Sequence, residues 1–134
     1  MRSDVNNRED IDLLMNEFYS RALKDDLIGY IFTDVAQLDL KHHLPVIGDF
    51  WETILFRTGN YARHGRNPMQ VHLALNTKEA LKPEHFERWI EIFYGVIDEH
   101  FEGPNTEILR QKAAFMAQRI SSVCSSDQLF GTSH

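Results

Sequence analysis

Seven histidines run through this 134-residue chain, and their spacing decides which chemistry they can do. No two lie three or four residues apart, the spacing at which a helix offers paired imidazoles to one ion. No Glu-x-x-His occurs, so a di-iron carboxylate site has no signature here. The one cysteine, Cys124, excludes zinc-finger and iron–sulfur patterns, and with no local histidine it is a poor nucleophile. What survives is a site that needs one protein ligand and takes its remaining coordination from a cofactor. His72 is the candidate ligand, in the short apolar stretch Pro68-Met69-Gln70-Val71-His72-Leu73-Ala74-Leu75.

A haem held by one axial histidine satisfies that condition. On spacing alone His72 reads equally as a half-buried surface histidine, so the neighbours carry the weight. Pro68 fixes the backbone entry, and Leu73 and Leu75 supply apolar cover. His43 shares a helical face with Ile47, Phe50 and Ile54, at steps of 4, 7 and 11. His42 projects instead with Val46 and Asp49, toward the boundary or solvent. Tyr19, just beyond Phe18, and Trp89, on one face with Phe93, read first as core aromatics. Each also carries a donor that needs a partner when buried.

The elements that must position these groups are all helical. Ile11, Leu14, Met15, Phe18, Ala22 and Leu23 follow amphipathic spacing, with Asn7 as the cap and Glu9 and Asp10 at the positive dipole end. Residues 27–32 form a short apolar turn or helix interrupted by Gly29. Asp39 caps a helix to about Phe56, with Pro45 just past its first turn. Thr58 to Pro68 is loop, and a short helix surrounds His72. Pro83 opens a strong helix through Phe101, which Gly103-Pro104 ends. A last helix carries Ile108, Leu109, Ala113, Phe115, Met116, Ile120 and Val123. No segment alternates as a strand does, and the expectation is an all-α fold.

Composition narrows the function classes. A chain of this length reads as one domain, residues 1–134, with its core about 8–124 and a flexible tail at 125–134. Its 43% apolar and 25% charged residues suit a globular protein. A net charge of −6 argues against a nucleic-acid surface. No apolar run approaches the ~20 residues of a membrane span, and the first residues lack a signal core, so a cytoplasmic location is expected.

In order along the chain, Phe18-Tyr19, Ile31-Phe32, His43-x-x-x-Ile47-x-x-Phe50-Trp51, Pro68-x-x-x-His72-Leu73 and Phe86-x-x-Trp89-x-x-x-Phe93 resemble the truncated haemoglobins, and within them group III. The resemblance covers about residues 11–120. Absence of double-glycine pairs after the first helix and before the His72 segment favours group III over its sister groups. It implies a shortened globin fold, a two-over-two helical sandwich around haem b. His72 then matches the proximal iron ligand, Tyr19 the distal hydroxyl donor, His43 the distal gate and Trp89 the distal indole donor. Phe32 matches the corner phenylalanine against the macrocycle, and Ile47 and Phe50 the distal wall. Leu73 and Phe93 complete the expected cofactor contacts. The loop 61–67 is longer and more basic than the family pattern, and Arg63, His64 or Arg66 can pair there with a haem propionate.

A haem with an open sixth position binds O2, NO or CO. Three functions follow. One is a redox haem enzyme, working with an outside reductase in NO dioxygenation, nitrite reduction or peroxidase-like turnover. A second is a reversible O2 or NO binder or sensor. The third is a cofactor-free helical interaction module. Two distal donors favour a retained ligand, hence redox detoxification over oxygen transport.

Overall fold

Asn7 begins helix α1 (Arg8–Ala22) as its side chain suggests, accepting the backbone N–H of Asp10 at 3.0 Å. Asp10 returns the favour by accepting the Asn6 N–H at 2.9 Å, so two otherwise unpaired donors are satisfied. The inward face carries Ile11, Leu14 and Phe18, none more than 1% exposed, and each such side chain contributes about 1.5–3 kcal/mol by burial. The structure, a computed structural model, describes residues 2–59, 61 and 68–130.

After α1 the chain turns sharply at Gly29, where a Cβ would sit 2.7 Å from the Leu23 carbonyl oxygen. The segment expected as a short turn or helix continues into a π-helical turn, Ile31–Val35. Asp39 then caps α2 (Leu40–Phe56) by accepting the Lys41 N–H at 3.1 Å. Pro45 stands inside α2, and its carbonyl accepts Nη2 of Arg8 at 3.1 Å. The same guanidinium reaches Asp49 at 2.6 Å and Glu52 at 3.0 Å, which ties the start of α1 to the middle of α2. Asp49 is therefore buried under Arg8 and does not share the solvent-facing position of His42.

Helix α3 (Pro68–Lys78) opens at its proline. Helix α4 (Pro83–His100) opens at the next one, and α5 (Pro104–Phe130) at a third. The stretch 125–130, expected as tail, continues α5. Gly103, at φ +144°, makes the turn between α4 and α5, and a Cβ there would lie 2.5 Å from Asp4 Cγ. Asp4 is the cap of α5 from across the chain. Its carboxylate accepts the Asn105 N–H at 2.9 Å and the Thr106 N–H at 2.8 Å. It also accepts the Thr106 hydroxyl at 2.7 Å. Val5, beside it, is fully buried, so the core includes residues ahead of α1.

The helices pack as two pairs, α1 on α2 and α4 on α5, with α1 crossing α4 and α2 crossing α5. Helix α3 rests on α5. This is the all-α, two-over-two globin architecture. Among the described residues the only β contact is an isolated bridge between Ser3 and Phe101. No described helix is long and apolar enough to cross a membrane. On α5 the inward stripe is Leu109, Ala113, Ala117, Ile120 and Cys124, all buried. Phe115 and Ile108, expected on that stripe, are 60% and 40% exposed, because Ile108 is one helical step of about 100° from Leu109 and Phe115 is two steps from both Ala113 and Ala117.

Candidate functional site

Between the helix pairs lies a cavity with about 230 Å³ of space open to water-sized groups, and all five helices wall it. Its lining is aliphatic and aromatic, with phenol, indole and imidazole groups as the polar points. No Asp, Glu, Lys or Arg is among the described residues of that lining. Among the described residues no three His, Cys, Asp or Glu side chains gather as a metal site. An apolar slot with scattered single nitrogen ligands suits a flat macrocycle that brings its own equatorial donors.

Helix α1 contributes Tyr19, 6% exposed, because its position beside Phe18 turns it from the core stripe toward the cavity. Its hydroxyl lies 2.7 Å from Nε2 of His43 on α2. The two rings meet edge to face, centroids 5.3 Å apart at 90°. Burial pushes the Tyr19 phenol above its ordinary value, so it stays protonated at neutral pH. That leaves one proton to place. With His43 protonated at Nε2, the imidazole donates and the Tyr19 proton is available to the cavity. With His43 protonated at Nδ1, Tyr19 donates to Nε2 instead.

Phe32 packs edge-on against Tyr19 at 5.7 Å, while Ile47 and Phe50 complete the α2 side of the wall. Val46 also lines the cavity, although spacing grouped it with His42. His42 itself is 84% exposed at its side chain, 3.6 Å from Asp39. Trp89 of α4 lines the cavity, tilted against Phe93 at 5.0 Å and edge-on to Phe18 at 5.4 Å. Its indole N–H has no hydrogen-bond acceptor among the described residues.

His72 enters from α3, half-buried, its ring 6.2 Å from that of Phe86. Val71 and Leu75 line the cavity beside it, whereas Leu73, one position past His72, packs on the core without joining the lining. Phe93 does not line it either. It is fully buried behind the wall, between Trp89 and Trp51, with centroids 5.0 and 5.4 Å away. One turn along α4 from Trp89 carries a side chain out of the cavity and into the core. Arg63, His64 and Arg66 lie outside the described residues.

Sequence reading passed over His85, which lines the cavity and is only 8% exposed. Its signal was available: Pro83 as first residue of α4 sets His85 one turn before Trp89, on the same face.

Asn76, one turn after His72, is the polar anchor of α3. Its Nδ2 donates to the Cys124 carbonyl of α5 at 3.2 Å, and its Oδ1 accepts the Leu81 N–H at 2.9 Å.

No protein-family model matches the chain. The group 3 truncated hemoglobin ctb of Campylobacter jejuni is 27% identical over 126 residues, spanning 92% of this chain and 94% of that protein. The crystal structure of group III truncated hemoglobin from Campylobacter jejuni superposes with a TM-score of 0.79. It covers 92% of this chain and 95% of that chain, at 27% identity. The chain is thus similar, over nearly its full length and in both sequence and fold, to a group III truncated hemoglobin.

Proposed function

We propose that the cavity holds haem b and that the protein binds O2 or NO for redox detoxification, such as NO dioxygenation, nitrite reduction or peroxidase-like turnover. The observation that carries this reading is the separation of one imidazole from a bonded phenol–imidazole pair. His72 comes from α3, which rests on α5, while Tyr19 and His43 come from the α1–α2 pair.

The bound group would supply an iron able to bind a small gas. Everything else falls to this chain. His72 Nε2 would hold the iron. Phe32, Ile47 and Phe50 exclude water and confine the plane of the macrocycle. Tyr19 and Trp89, which line the cavity, would donate hydrogen bonds to a negatively charged ligand held there. A donor to a charged acceptor contributes roughly 1.5–3 kcal/mol, about ten- to a hundredfold in retention. His43 sets whether Tyr19 can donate, by holding its own proton at Nε2 or at Nδ1. Two strong donors slow release, which suits a reaction on a retained ligand better than transport. Electrons would come from a separate reductase.

The test begins with visible spectra of haem-reconstituted wild type beside His72→Ala. A Soret band that shifts with CO on reduction, and is lost or altered in the variant, is the expected result. A folded wild type without a chromophore would overturn the reading. Stopped-flow mixing of the O2-loaded protein with NO then separates turnover from reversible binding: rapid conversion to nitrate is expected. Simple exchange of one gas for the other would make the protein a binder or sensor.

A further inference from the structure

His85 is the third residue of α4 and one of the cavity's polar points. Its Nδ1 accepts the Lys82 N–H at 3.0 Å. An acceptor nitrogen carries no proton, so the neutral ring is protonated at Nε2. Burial pushes the imidazole below its usual range and Lys82 adds to the fall, while Glu84 and Glu79 pull the other way. The ring is 8% exposed and stands edge-on to Tyr30, with centroids 6.3 Å apart. No described residue accepts a hydrogen bond from its Nε2. This donor belongs to the wall of the cavity, so a group held there can accept from it. It also sits in the first turn of a long helix, where unpaired backbone N–H groups and the dipole favour negative charge.

We propose that His85 is a cofactor-binding residue whose Nε2–H donates to a carboxylate of the macrocycle held in the cavity. This rests on the haem reading above. Haem carries two ionised carboxylates on one edge. A single neutral donor at a helix start fits such a group without placing a cation in an apolar wall. His85 thereby fixes which edge of the macrocycle faces the start of α4.

The test compares haem release to a scavenger apoprotein from wild type, His85→Gln and His85→Glu, each loaded with haem and with haem dimethyl ester. At this helix position Gln and Glu both keep an acceptor for the Lys82 N–H, so α4 stays capped. Gln also keeps a donor, whereas Glu sets a negative charge against the carboxylate. With native haem, Gln is expected within about twofold of wild type and Glu about tenfold faster. With the diester, the Glu variant's excess should largely vanish. An isotope-labelled His85 Nε2–H resonance should move downfield on loading native haem and less on loading the diester. Equal release from wild type and Glu, or an undiminished Glu effect with the diester, would overturn the assignment while leaving haem binding intact. Failure of wild type to take up either pigment would overturn both readings together.

Discussion

Among the described residues, the two sides of the cavity differ in the polar contacts that tie them. On the α1–α2 side, Arg8 bonds to Asp49, Glu52 and the Pro45 carbonyl, and Tyr19 bonds to His43. On the α3 side, Val71 is 46% exposed, and Asn76 supplies the buried polar anchor. The donors that would judge the gas are thus fixed by the protein's own packing. Helix α3, which bears the proposed iron ligand His72, shows fewer polar ties among the described residues and would gain from a ligand that bridges His72 to the rest of the wall. Binding that completes a loosely held element stabilises the folded state by mass action.

The strongest way to break this contrast is to cut the clamp. Arg8→Leu leaves the buried Asp49 carboxylate without its guanidinium, and a loss of about 3 kcal/mol of stability is expected in urea titration. Arg8→Leu with Asp49→Leu should recover much of it, because the uncompensated charge is gone. If the single variant melts like wild type, the α1–α2 side is no stiffer than the other.

Next in size is Tyr19→Phe. The packing of the ring is retained, so thermal stability should fall little. O2 release from the haem-loaded protein should quicken about ten- to a hundredfold. An unchanged release rate would mean that the phenol keeps its proton on His43.

Asn76→Leu sharpens the comparison from the opposite side. It removes two bonds, one to the Leu81 N–H and one to the Cys124 carbonyl, a cost of about 2 kcal/mol. Hydrogen exchange should accelerate in residues 69–81 and hardly at all in α1 and α2. Uniform acceleration would show that α3 is no separate unit.

Asp4→Asn is the smallest expected effect, about 1 kcal/mol, and it belongs to neither side. Burial raises the Asp4 carboxyl, but the Thr106 hydroxyl and the N–H groups of Asn105, Thr106 and Val5 outweigh it and hold the value below its ordinary 3.8. A depressed value means the contribution is full above the unfolded-state value and fades as pH falls through the lower folded one. The variant should therefore lose stability near neutrality and show a flatter acid limb than wild type in thermal melts.

Much of this architecture was legible because helix ends are local events. Asn7, Asp39, Pro83 and the Gly103-Pro104 pair each act within a few residues, and all stand where the helices begin or turn. The ordered set Tyr19, His43, His72 and Trp89 was legible too, and all four line one cavity. Less legible was the difference between a wall and a core. Periodicity reports that Phe93 and Leu73 lie on inward faces, but an inward face can meet a void or another side chain with the same spacing. His85 was passed over for the converse reason, since a polar residue in a first turn reads as solvent-facing until the neighbouring helices close over it.

The chain by itself therefore determined its helices, the capping of α1 and α2 and the identity of the candidate ligand, since each depends on residues close in sequence. Tertiary structure alone decided the rest. The reach of Arg8 to Asp49, the capping of α5 by Asp4 and the meeting of Tyr19 with His43 all join segments far apart in the chain. Their distances are set by how helices cross, which no local spacing encodes.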